Sequence, residues 1–502
     1  MHPTPLDAER AVRRNFGFDA VGALGTGLFN ALVVNFLAVI ARREGADPLL
    51  LAALAAAPFA ANILGICSGF WVPSDRHRVR YVAIVQFIGR ALFFGALLST
   101  GPVALLLMGL GMWTTLAMIS PLQVDIWRGS YPQRLRARVL GYLRVLQTLA
   151  GAIAAPLGGL LIEKFGHAPM LGLGASLGIF GAAGFSQVRS QPVATSRPFT
   201  PAASLRLLAE HPTYRRLIMG WVVWGFGSFM ATPLYALVLV DRFQASYADI
   251  GLLQLVGAVS GLLAYLILGQ TLDRRGTFIK AATPVGCVLV ALVPLVYLLS
   301  PNLWFLGIGF VMQGVGNSAI DLGWQLALVS HVPDEHRLRY QAAHTSLTGL
   351  RGVAAPFVGS LMLGLGSVVG AVLLVSGVLA LYGAVILGRA LGLGAADLRV
   401  RRSVVRDARR PGHDLALGHR VVGQAARVAV APVVDVDQVL LARQNSPAAD
   451  LRPRSGSAAR GLEASHQLLH DPAWQAVTIA RVDEAKEHQV AQEHAPVRPK
   501  ST

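Results

Sequence analysis

Cysteine is nearly absent. Cys67 and Cys287 are the two in 502 residues, and both lie inside apolar runs. That leaves no disulfide framework and no cysteine spacing for a metal. Charge is also scarce, at 14% of residues against a 54% hydrophobic share. A soluble domain usually carries roughly 25% charge. Such a chain in water would expose a large apolar surface, which excludes an ordinary soluble globule. Acids are outnumbered, 27 against 44 Lys and Arg. The P-loop pattern G-x-x-x-x-G-K-[ST] is missing, so this chain alone does not bind ATP in that way. H-E-x-x-H is missing too, which removes the commonest zinc-hydrolase helix.

The sequence does contain long apolar runs. Stretches of about 20 apolar residues match the length of helix that crosses a ~30 Å hydrocarbon core. They do not alternate apolar and polar, as barrel strands would, so helices are predicted. Twelve spans follow, at 16–41, 49–72, 81–99, 103–126, 139–162, 168–187, 216–240, 248–270, 278–299, 303–330, 341–364 and 367–391. The first run is too long for the core of a signal peptide, so no cleaved signal is expected. The connection 188–215 is the longest between spans and holds Pro192, Pro198, Pro201 and Pro212. It divides the chain into a six-helix bundle at 1–187, a linker, and a second bundle at 216–391.

With the N-terminus inside, the cytoplasmic segments before residue 392 collect about 20 Lys and Arg, against about four outside. Arg beside membrane spans sets topology. The net charge of +17 is read that way and not as nucleic-acid binding. The expected location is a cytoplasmic membrane, with both termini cytoplasmic.

An internal repeat joins the halves. Thr148/Thr348, Pro156/Pro356, Gly159/Gly359 and Gly166/Gly366 match at an offset of 200, and the preceding Pro132/Pro333, Arg136/Arg337 and Arg138/Arg339 match at 201. Two pseudo-symmetric halves with a site between them is a transporter architecture.

Three motifs carry a family resemblance. Gly269-Gln-Thr-Leu-Asp273-Arg274-Arg275-Gly276 lies between spans eight and nine. The equivalent loop between spans two and three keeps Asp75-Arg76 but has Trp71 in place of a Gly and lacks the later Gly. Gly151-Ala-Ile-Ala-Ala155-Pro156-Leu-Gly158-Gly159 lies in span five. The first resembles the G-x-x-x-D-R-x-G signature of the major facilitator superfamily. The third is similar to the Gly/Pro-rich pattern of that family's antiporters, with Ala155 replacing one Gly. The resemblance covers roughly residues 16–391 and implies a two-bundle helical permease. It implies gating roles for Asp75, Arg76, Gly269, Asp273, Arg274, Arg275 and Gly276. Gly151, Pro156, Gly159, Pro356 and Gly359 are expected to bend helices or let them pack closely.

Ionisable and polar groups at membrane depth are functional candidates by default. They are Asp19, Asn30, Arg90, Trp224, Gln313, Asn317, Asp321, His344 and Arg351. Gln313, Asn317 and Asp321 fall on one face of span ten. Trp221, Trp224, Ser228, Thr232 and Tyr235 share a broad face of span seven, and both stripes are expected to face an aqueous cavity or neighbouring helices. Asp321 and Arg351 lie at similar depths and are expected to form a buried ion pair. Arg144 is expected to snorkel, and His344 to be a hydrogen-bonded structural residue.

From about residue 392 the texture changes. The last ~110 residues hold no Phe or Tyr, one Trp, 14 Arg and six of the 13 His. A largely disordered cytosolic tail is expected; the composition also fits a wrongly extended reading frame. The leading function is secondary active transport of a small molecule, with proton-coupled efflux as one form of it and substrate, direction and coupling ion left open. A transport-inactive sensor, a lipid translocator and a membrane-embedded lipid-modifying enzyme stay open as alternatives. Membrane lipid is a partner, no cofactor or metal is expected, and the protein is expected to be a monomer.

Overall fold

The computed structural model describes residues 5–64, 77–191, 212–274, 277–331 and 337–391. The chain divides into two units, Met1–His413 and Asp414–Thr502, and every described residue belongs to the first. Asp75, Arg76, Arg275, Gly276, Cys67, most of the linker and the tail lie outside the described residues.

All described regular elements are helical. Helix α1 (Pro5–Phe29) passes through a π-helical stretch, Asn30–Val34, into α2 (Leu37–Arg43). Next come α3 (Pro48–Leu64), α4 (Arg78–Ala91), α5 (Pro102–Ser130), α6 (Gln133–Phe165) and α7 (His167–Phe185). The second half begins with α8 (Pro212–Met230), continues as α9 (Thr232–Leu237), and ends that span in a π-helical stretch, Val238–Arg242. It goes on with α10 (Tyr247–Arg274), α11 (Thr277–Leu299), α12 (Leu306–His331), α13 (Arg337–Gly364) and α14 (Val369–Ala390).

Eleven helices among the described residues are long and apolar enough to cross a membrane. The expected twelfth, at 49–72, is described only as a shorter apolar helix, Pro48–Ile63. Residues 65–76 lie outside the described residues, so the full span is not seen. The other spans fall where the apolar runs put them; a π-helical stretch interrupts the first and another ends the seventh.

Local geometry repeats with the sequence. Gly166 and Gly366 take φ of +83° and +92°, the left-handed region that a Cβ disfavours, and each ends a long helix. Gly45 (φ +93°) and Gln244 (φ +47°) do the same after the first and seventh spans.

Within the first half α1 packs on α6 and α7, α4 on α5 and α7, and α3 on α5. In the second, α8 packs on α13 and α14, α10 on α12, and α11 on α12 and α14. The halves meet through α6–α10 and α3–α13. Small residues make these crossings close, as lipid-embedded helices require. A Cβ on Gly159 would lie 2.2 Å from the Tyr247 carbonyl oxygen, and one on Gly251 would lie 2.5 Å from that of Ala155. A Cβ on Gly359 would meet the Met230 carbonyl oxygen at 2.3 Å. Gly151 has more room, 3.4 Å from the Gly27 carbonyl oxygen. Gly159→Ala is therefore expected to lower the melting midpoint of the purified protein in detergent, at an overpacking cost of roughly 1–3 kcal/mol. Gly151→Ala is expected to melt like the parent. Equal melting of both variants would show that α6 and α10 separate freely.

The buried core is unevenly shared between the two ends of the bundle. At the Arg-poor end one apolar cluster crosses both halves, including Phe36, Leu54 and Leu105 from the first and Leu234, Tyr247 and Leu373 from the second. Towards the Arg-rich end the clusters separate. Val82, Ile119 and Ile126, and likewise Tyr131, Val139 and Leu143, stay within the first half. Trp221, Trp224, Trp324 and Leu387 stay within the second.

Candidate functional site

Polar bonds between the halves reinforce the Arg-poor end. Arg42, on α2, grips the Asp241 carboxylate with Nε at 3.0 and 3.1 Å and Nη2 at 2.7 Å. Arg43 donates to the Ala245 carbonyl oxygen and lies 3.9 Å over the Tyr247 ring. Glu163 accepts from the Ala248 N–H at 3.0 Å, and Ser360 donates to the Pro48 carbonyl oxygen at 2.7 Å. Arg42 and Asp241 are partly exposed, so the pair contributes at most about 1 kcal/mol and serves more to fix register.

Deeper in the bundle, α12 carries Gln313, Asn317 and Asp321. Gln313 is half-buried, and the other two are exposed. The exposed apolar residues of this helix, Ile308 and Val311, fall on the opposite side at about 100° per residue. The apolar side suits lipid, so the polar stripe looks inward, towards the first half. Tyr265 of α10 donates to Asp321 Oδ2 at 2.7 Å. Arg144, exposed on α6 of the first half, lies within electrostatic reach of Tyr265. The carboxylate is thus held by its own half, through a tyrosine that lies within electrostatic reach of a cation of the other.

Arg351 is not the partner of Asp321. It is 3% exposed and donates to the Trp221 carbonyl oxygen. Its guanidinium carbon lies 5.0, 5.7 and 5.4 Å from the ring centres of Trp221, Trp224 and Phe229. Phe229 in turn meets Phe59 of the first half at 4.6 Å. Exposure decided the pairing: Asp321 stays on the open face, while Arg351 turns into the core of its own half.

Most of the span-seven stripe turns inward to protein, with Tyr235 half-buried and Thr232 left exposed. Trp221, Trp224 and Ser228 are buried, and Trp224 Nε1 donates to the Cys287 carbonyl oxygen at 2.9 Å. Trp324 stacks on Trp221 at 4.5 Å and on His344 at 4.4 Å. Neither ring nitrogen of His344 has a hydrogen-bond partner among the described residues, so stacking, not hydrogen bonding, holds it.

In the first half Asp19 is buried and accepts from the Tyr131 hydroxyl at 2.8 Å. Arg90 is buried, donating to the Gly178 carbonyl oxygen and to Thr26 Oγ1 at 2.8 Å. Both act inside the bundle. Asn30 is half-buried in the π-helical stretch of the first span. Gly269, Asp273 and Arg274 end α10, with side chains outside the described residues.

A G-x-S-x-G pentapeptide, Gly174-Ala175-Ser176-Leu177-Gly178, was missed in reading the sequence. It lies inside α7, where Ser176 Oγ donates to the Gly172 carbonyl oxygen at 2.9 Å. A nucleophile elbow needs a strand-to-helix turn, so the match carries no hydrolase chemistry.

Two pseudo-symmetric helical sets, joined at one end and carrying a polar stripe at membrane depth between them, make a polytopic membrane protein of transporter architecture. The family model of the Major Facilitator Superfamily matches residues 20–299 and 217–395, and the chain belongs to that family. None of the curated proteins matches the chain. Among solved structures, the nucleoside transporter NupG is similar, with a TM-score of 0.59 at 16% identity over 75% of this chain and 98% of that one. A POT family transporter in complex with a thioalcohol-conjugated peptide gives 0.56 at 11%, over 75% and 95%. A bacterial homolog of the human lysosomal transporter Spinster, inward-facing and occupied, gives 0.51 at 14%, over 80% and 99%.

Proposed function

We propose that the chain is a proton-coupled antiporter that exports a small molecule by alternating access, with Asp321 as the proton-carrying group. The observation that carries this is the exposed carboxylate of Asp321 on the inward polar stripe of α12, about 15 Å along the helix from its Arg-rich end. While the halves stand apart at that end, water solvates the charge. When they close over it, the ionised form loses that water at a cost of several kcal/mol, unless a proton or a cationic partner arrives. Proton uptake therefore favours closure, and solvation on the other side favours release. Arg144 is the cation that meets Asp321 when no proton does.

The Asp-Arg loops, Asp75-Arg76 and Asp273-Arg274, are assigned to gating, and the Gly151–Gly159 pattern supports the antiport reading by its likeness to the family's antiporters. The bundles run over 1–187 and 216–391, joined by the 188–215 linker. The Arg distribution supports a cytoplasmic membrane with both termini inside, so the state described here is closed to the outside. The working unit is a monomer. The test is flux in proteoliposomes under an imposed pH gradient, with a panel of cationic drugs, sugars and organic anions. Uphill movement of one class that stops when an ionophore dissipates the gradient supports the reading. Flux indifferent to the gradient contradicts it.

A further inference from the structure

A groove lies on the outside of the first half, away from the polar stripe. It has a volume of about 390 Å³ and runs between the antiparallel helices α4 and α7. Its floor is small, made by Ala83, Ala182 and Ala183, and its apolar flanks are Ile84, Phe87 and Ile179. Arg80, Ser186 and Gln187 stand together at its Arg-rich end. Arg80, Ile84 and Phe87 repeat at i, i+4 and i+7, so one face of α4 grades from charged to apolar over about 10 Å. Ile84 and Phe87 are close to half exposed on a helix that crosses the membrane. Arg80 is exposed and has no ion-pair partner among the described residues. Gln187 Nε2 donates to Ser186 Oγ at 3.2 Å, so the two polar side chains form one rim opposite Arg80.

We propose that this groove binds one anionic phospholipid from the leaflet at the Arg-rich end. The phosphate meets Arg80 and the Ser186–Gln187 rim, and an acyl chain lies over the alanine floor beside Ile84 and Phe87. The charge sign selects the occupant. A cation at headgroup level above an apolar trough complements a lipid phosphate with its chain attached. A free anion would use the Arg and leave the trough empty.

Native mass spectrometry of the delipidated full-length protein tests this, with phosphatidylglycerol, phosphatidylcholine or inorganic phosphate added. The wild type is expected to retain phosphatidylglycerol in preference to phosphatidylcholine, and inorganic phosphate is expected not to displace it. Arg80→Gln should lower phosphatidylglycerol retention several-fold and leave phosphatidylcholine unchanged, and Arg80→Lys should restore it. Ala183→Phe, which fills the trough at an exposed position, should lower retention of both lipids. Arg134→Gln removes an exposed Arg elsewhere and should change neither. Equal retention by Arg80→Gln and wild type, an equal loss in Arg134→Gln, displacement by inorganic phosphate, or retention of neither lipid would each overturn the proposal.

Discussion

Asp321→Asn is expected to abolish gradient-driven accumulation, down to the level of protein-free vesicles, while leaving substrate counterflow in place. Asn keeps the volume and the oxygen that accepts from Tyr265. It cannot take up or release a proton. Closure over Asn carries no charge-desolvation cost, so the halves can exchange without the proton whose uptake favoured closure. Counterflow needs only exchange of the two states and should persist. Loss of both activities in well-folded protein would instead make Asp321 part of the substrate site or the packing. Full retention of uphill transport would remove it from coupling.

Arg351 gives the second large effect, through stability. Its guanidinium fills the space above Gly225, where a Cβ would lie 2.2 Å from the Arg351 Cζ. It also sits against three aromatic rings. Arg351→Ala empties that space and is expected to cost on the order of 2–5 kcal/mol, as large-to-small core changes do. Arg351→Met keeps the bulk and drops the charge. No carboxylate pairs with Arg351 among the described residues, so the change strands no opposite charge; it gives up the bond to the Trp221 carbonyl oxygen but keeps the bulk, and is expected to cost less than Arg351→Ala. Had Asp321 been its buried partner, removing the charge would cost about 3–5 kcal/mol. Melting midpoints of the two variants separate these cases. An Arg351→Met loss as large as that of Arg351→Ala would contradict the packing seen here.

Periodicity and charge made the fold legible, because lipid forces each span to be helical, apolar and about 20 residues long. The repeat was legible for a similar reason: Gly166 and Gly366 serve the same left-handed turn. What polarity could not supply was direction. Trp224 and Asp321 are both polar-capable groups in mid-span. One turns into its own half to reach the Cys287 carbonyl, and the other stays on the open face. That choice depends on neighbouring helices, which one helix's pattern does not reveal. Tyr265 and Trp324 were missed because an aromatic in an apolar run reads as packing, and Tyr131 because it lies in the Arg-rich loop between spans four and five. The Arg42–Asp241 contact had a signal in the offset of the repeat, since the two ends it joins are equivalent. Asp75 and Asp273 were found by motif alone, and their side chains lie outside the described residues.

The most direct test of the central claim is sided thiol labelling of Asn317→Cys in a background with Cys67 and Cys287 replaced by Ala. Asn317 is exposed on the polar stripe, between halves that share one buried core only at the Arg-poor end. A membrane-impermeant maleimide should modify it from the side bearing the Arg-rich loops and leave it protected from the other side. Modification only from the Arg-poor side would contradict the account, because the Arg42–Asp241 end would then be the open one.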